Sequence, residues 1–194
     1  MNYFSKIVEL DSNLTKSKNR ALKRAIKSSK DYFFLIENNC KILDNDVFNL
    51  FIDTYQKTGI SALMWGKATP NRKIDLLKDP YVEYYTDFSP TFMFFTREAV
   101  LKVGLMDEKM PTNTYQELEY AKRIGEKGLS TPFGLFASPK DIDKYFKLKF
   151  SRDEFVNRPQ MDEALNYWEG KDSEFTVTLI DRPKIMESKV TEMI

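Results

Sequence analysis

Apolar positions along this 194-residue chain fall into short blocks of two kinds, continuous runs and helical stripes. "YFSKIVEL" (Tyr3 to Leu10) has strand composition, and "YFFLI" (Tyr32 to Ile36) is an unbroken apolar run. The second predicts a parallel strand covered on both faces. Between them, "SNLTKSKNRALKRAIKSSK" predicts a helix capped by Ser12 or Asn13. Leu14, Ala21, Leu22, Ala25 and Ile26 form its apolar stripe among seven Lys and Arg. "DNDVFNLFIDTYQKTG" predicts a second amphipathic helix, with Asp44 as cap and Gly59 as stop. "ISALMWG" follows as a strand, then a polar, Pro-punctuated loop from Lys67 to Pro80.

Further on, "PTFMFFT" reads as an apolar strand and "REAVLKVG" as a short helix closed by Gly104. After the loop "MDEKMPTN", "TYQELEYAKRIGEKG" has the marks of a helix with defined ends. Thr114 and Glu117 stand at capping-box spacing, and Gly128 lies just past the last turn. "STPFGLFAS" is extended, "PKDIDKYFKLKF" and "RPQMDEALNYWEGK" read as helical pieces, and "EFTVTLID" alternates like a half-buried strand. Strands alternating with helices predict an α/β fold. The expectation is a mixed, mostly parallel sheet flanked by helices over residues 1–136, and a short α/β C-terminal extension, 137–194, packed on the same domain.

Composition narrows the chemistry. Thirty basic against twenty-nine acidic residues is no footprint for a general nucleic-acid binder. A single cysteine excludes an intrachain disulfide and suits a reducing compartment. No apolar run approaches the roughly 20 residues needed to cross a bilayer, and "MNYFSKIVEL" lacks the apolar middle of a signal peptide. The expected location is the cytoplasm. The chain contains no histidine, which removes Ser-His and Cys-His nucleophile pairs and imidazole metal ligation together. Catalysis is left to carboxylates, Lys, Tyr, Cys or backbone donors.

Ligands in open α/β sheets bind at the carboxyl ends of strands, and "ENNC" (Glu37 to Cys40) stands at the end of the most apolar strand. Its oxygens suit a hard cation or a ribose hydroxyl; the plainer alternative is a polar turn capping the next helix. By its spacing Glu117 reads as the reciprocal partner of Thr114 in a capping box. The cations Lys16, Lys18, Arg20, Lys23 and Arg24 form either an electrostatic track for phosphates or a solvated helix face. Cys40 reads as an inert core thiol.

From about Leu10 to Phe136 the order of these segments resembles the inverting GT-A glycosyltransferases of the large family-two type. "NLTKSKNRALKRAIKSSKDYFFLIENN" is similar to that family's Ala-Arg-Asn helix leading into the strand that ends in Asp-x-Asp. Ser17, Lys18 and Asn19 fall on the Ala-Arg-Asn positions, and Glu37, Asn38 and Asn39 on the Asp-x-Asp triplet. "FMFFTREAVLKVGLMDEKM" resembles the family's strand, short helix and turn, with Gly104, Asp107 and Glu108 in place. "YQELEYAKRIGEKG" resembles its Glu-Asp-x-Glu helix, with Gln116 and Glu117 on the Glu-Asp pair and Arg123 and Gly128 in register.

The resemblance implies a truncated GT-A fold that transfers a sugar from a nucleotide-sugar donor to an acceptor hydroxyl. Glu117 would be the base, and Lys18, Asn19, Glu37, Asn38 and Asn39 the donor site. Manganese or magnesium on Glu37 and Asn39 is implied, held weakly because amides replace acids; a metal-independent site is an equal alternative. The chain opens at the family's third strand, so a protein partner or a second copy would supply the nucleotide-binding half. Two other readings stand beside this one. The first is an inactive scaffold or a subunit of a split enzyme; the second, less favoured, is glycosylation of a modified nucleic-acid base.

Overall fold

The computed structural model describes residues 14–37, 40–66, 73–110 and 116–148. The expected segments Tyr3–Leu10, "RPQMDEALNYWEGK" and "EFTVTLID", together with Asn38, Asn39 and Thr114, lie outside them. In chain order the elements are α1 (Leu14–Lys27), β1 (Tyr32–Ile36), β2 (Cys40–Ile42), α2 (Asp46–Thr58), β3 (Ala62–Trp65), β4 (Val82–Tyr85), β5 (Ser89–Thr96), α3 (Arg97–Val103), α4 (Gln116–Glu126), β6 (Phe136–Pro139) and β7 (Phe146–Leu148). This is a mixed α/β architecture.

The central sheet has the order β1-β5-β3, and two smaller ribbons pair β2 with β7 and β4 with β6. Every strand pair among the described residues is antiparallel, where a mostly parallel sheet was expected. The apolar run of β1 reported two-sided burial, not strand direction. Phe33, with Met93 and Phe95 of β5 and Ala62 and Met64 of β3, faces a core completed by α1, α3 and α4. Tyr32 and Phe34, with Phe92 and Phe94 of β5 and Leu63 and Trp65 of β3, face a second core built on Val47 and Phe51 of α2. The two faces alternate at period two, so the central parts of these strands are apolar on both sides. Both β1 and β3 run antiparallel to β5 and therefore parallel to each other, with β5 interposed.

Helix ends follow local chemistry. Gly59, at φ 72°, ends α2 in the left-handed region and donates its N–H to Tyr55 O. The N-cap of α2 is Asn45, without a side-chain cap bond; Asp44, expected to cap, instead accepts from Asp46 N at 3.0 Å. Thr96 caps α3 by accepting from Ala99 N. "PKDIDKYFKLKF", expected to be helical, holds only a 3-10 turn at Ile142–Lys144 before β7 begins. Phe146 is buried between Trp65 and Phe92, so ring packing and pairing with β2 override the local helix preference. The expected domain boundary after residue 136 falls at the first residue of β6, which pairs with β4.

Candidate functional site

Helix α1 has an unusual buried face. Its apolar packing rests on Leu22, Ala25 and Ile26, while in its N-terminal half the buried positions are Thr15, Ser17, Lys18 and Asn19. Leu14, expected in the stripe, is exposed. Polar groups at core positions must find partners, and those partners define the site.

The Lys18 ammonium donates to Glu37 Oε1 at 3.1 Å and to Glu117 Oε1 at 2.5 Å. Glu37 is delivered by the turn that ends β1, and Glu117 by the first turn of α4. Side-chain exposure is 7% for Lys18, 7% for Glu117 and 22% for Glu37, so the cluster meets solvent through Glu37. Strand β5 holds Glu37 from the other side. Glu37 N donates to Thr91 O at 2.9 Å, Thr91 Oγ1 lies 3.4 Å from Glu37 Oε2, and Ser89 Oγ donates to Thr91 Oγ1 at 2.9 Å. Burial by itself would pull the Lys18 ammonium down. Glu117 and then Glu37, through charge and hydrogen bonds, more than reverse that and leave its pKa above the usual lysine value.

Asn19 anchors the neighbouring turn. Its Nδ2 donates to Met106 O and to Glu108 Oε1, and its Oδ1 accepts from Met106 N, each at 2.9 Å. Arg123 closes the same corner, donating to Val103 O and Leu105 O and gripping Glu119 with two nitrogens at 2.6 and 2.9 Å. The segment after α3 is thus tied to both α1 and α4, which fixes where Lys18 and Glu117 can stand.

Of the residues expected at the donor and base positions, the structure brings together Lys18, Glu37 and Glu117 and sets Asn19 beside them on α1. Asn38 and Asn39 lie outside the described residues. Ser17 is buried. The Glu37 turn leads into β2 rather than capping a helix, with Cys40 N donating to Glu37 O at 3.1 Å. Thr114 is not described, and the carboxylate assigned to its capping box meets Lys18. The basic set divides: Lys18 is internal, whereas Lys16, Arg20, Lys23 and Arg24 are exposed. Cys40 is buried, in keeping with a core thiol.

Sequence reasoning missed Ser89 and Thr91, whose hydroxyls sit inside an apolar strand with nothing local to mark them. For Lys18 and Asn19 a signal existed. Stepping back from Leu22 and Ile26 at helical spacing reaches Thr15, Lys18 and Asn19, which places polar residues on a core-facing stripe.

Among the described residues no group of three or more acid or thiol side chains is arranged to hold a metal ion, and no helix is long and apolar enough to cross a membrane. No family model matches the chain, and no curated protein matches it in sequence.

Proposed function

We propose that this chain is a glycosyltransferase-like protein of compact GT-A type, moving a sugar from a nucleotide-sugar donor to an acceptor hydroxyl. One observation carries the reading. Glu37 and Glu117, assigned from separate segments, converge on the ammonium of Lys18, assigned from a third. In this scheme Glu117 takes the proton of the acceptor hydroxyl as it attacks the anomeric carbon. The bond from that carbon to the donor diphosphate breaks, and the nucleoside diphosphate leaves with the bonding pair. Lys18 fixes Glu117 in orientation. Asn19 and Arg123 hold the loop that sets the distance between α1 and α4.

A second reading is favoured by the same geometry from another side. Glu117 is largely buried and already engaged by Lys18, which suits an ion cluster that stiffens a non-catalytic scaffold or one subunit of a split enzyme. Calorimetric titration with UDP- and GDP-sugars, with and without manganese, separates the two. Binding of a donor followed by its consumption supports the transferase. Silence across the panel removes it, and a stable co-purifying protein then favours the scaffold.

A further inference from the structure

The resemblance calls for a divalent cation on the carboxylate that ends β1, and the described residues do not fit one. Glu37 Oε1 already accepts from Lys18 Nζ at 3.1 Å, and that ammonium is pinned on its other side by Glu117 at 2.5 Å. A metal on Glu37 Oε1 would share the oxygen with a fixed positive charge at close range. The other carboxylate oxygen, Glu37 Oε2, is turned toward the Thr91 hydroxyl.

We propose that the Lys18 ammonium is a built-in counter-cation, occupying the place between Glu37 and Glu117 that a divalent ion would otherwise take. The site therefore operates without metal, and removing the ammonium turns it into a divalent-cation site. The charge balance points this way. With Lys18 present, two carboxylates face one cation; without it, two unneutralised carboxylate oxygens share a small, sheltered volume. Such a pair binds a divalent ion or moves apart. The inference rests on the transferase reading only where turnover is concerned, because the cluster and its response to cations are properties of the folded chain.

Manganese is the probe. Its binding to the full chain is followed by electron paramagnetic resonance, and thermal unfolding is recorded with manganese and with EDTA, for wild type, Glu37→Gln, Lys18→Ala and the Lys18→Ala/Glu37→Gln double variant. Wild type is expected to bind no manganese through Glu37 and to unfold at the same temperature with either addition. Lys18→Ala is expected to gain a manganese site and to be stabilised by the ion, and Glu37→Gln in that background abolishes both effects. Manganese binding by wild type that Glu37→Gln removes overturns the proposal, as does a folded Lys18→Ala that ignores the ion. If Lys18→Ala does not fold under either condition, the wild-type and Glu37→Gln measurements decide alone. A sugar donor consumed only when manganese is added overturns this inference and leaves the transferase reading standing. No donor bound or consumed removes the transferase and leaves the manganese result to judge Lys18.

Discussion

Asn19 and Met106, 87 residues apart in sequence, hydrogen-bond to each other in both directions at 2.9 Å. The amide side chain of Asn19 pairs with the Met106 backbone as one strand would with another. It thereby locks α1 to the loop after α3 at the helical position next to Lys18. Asn19 is 1% exposed, so truncation leaves a backbone N–H and C=O without partners. Asn19→Ala should destabilise the chain by about 2 kcal/mol. Asn19→Asp should cost more, because an acceptor would then face Met106 O and the Glu108 carboxylate. Urea unfolding followed by circular dichroism measures both, and an aspartate variant as stable as wild type would contradict the assigned amide orientation.

Removing the Lys18 charge leaves two carboxylates facing each other in a sheltered site. Lys18→Met should lower unfolding free energy by about 3 kcal/mol, the scale for breaking a buried pair by deleting one partner. Adding Glu117→Gln to Lys18→Met should recover part of that loss by removing one of the opposed charges. A double-mutant cycle in urea reads the coupling; additive losses would mean that the two side chains do not interact.

Gly66 ends β3 flat against the ring of Tyr85. A Cβ there would stand 2.1 Å from Tyr85 Cδ2, and Tyr85 is wholly buried, so the ring cannot swing into solvent. Gly66→Ala should therefore destabilise by about 2 kcal/mol or more through overpacking. Its thermal unfolding midpoint tests this, and an unchanged midpoint would refute the close approach.

Alkaline pH should weaken the fold. Burial raises the pKa of Tyr84 from 10.0 to about 12, with Asp79 adding to it. Burial followed by Glu83 raises Tyr85, and burial raises Tyr120 against the opposing charge of Arg123. Lys18 is also raised from 10.5. Each group binds its proton more tightly when folded. The stability it contributes is complete below its unfolded value and is lost as pH climbs through the folded one. Stability from these groups should thus decline above about pH 10. Tyrosinate absorbance should show Tyr84, Tyr85 and Tyr120 titrating late, together with unfolding; loss of the late phase on replacing these three by Phe checks the assignment, and a late phase that persists would contradict it.

On the transferase reading, Glu117→Gln should keep donor affinity and reduce turnover by about 10²–10⁴-fold, the usual contribution of a positioned base. Glutamine still accepts from Lys18, so the fold should persist. Turnover unaffected by the change would remove Glu117 from the chemistry.

Local pattern alone placed α2 and α4, because helical stripes and stop glycines act within a few residues: Gly59 does end α2, at φ 72°. The span of β1 was equally legible, since two-sided burial writes itself as an unbroken apolar run. Its pairing was not legible. Direction depends on which strand arrives alongside, and β5 comes from far down the chain to pair with both β1 and β3. For the same reason β7 was mistaken for helix, since Phe146 is held by Trp65 and Phe92 rather than by its own neighbours.

Composition and period therefore determined an α/β chain with no histidine chemistry, because each of these is a property of residues close together in sequence or of their count. Tertiary structure decided that Lys18 answers two carboxylates, one of them 99 residues away, and that Ser89 and Thr91 steady one of them. Those contacts exist only once α1, β1, β5 and α4 pack together, since burial makes an ammonium seek charges that its own helix does not provide.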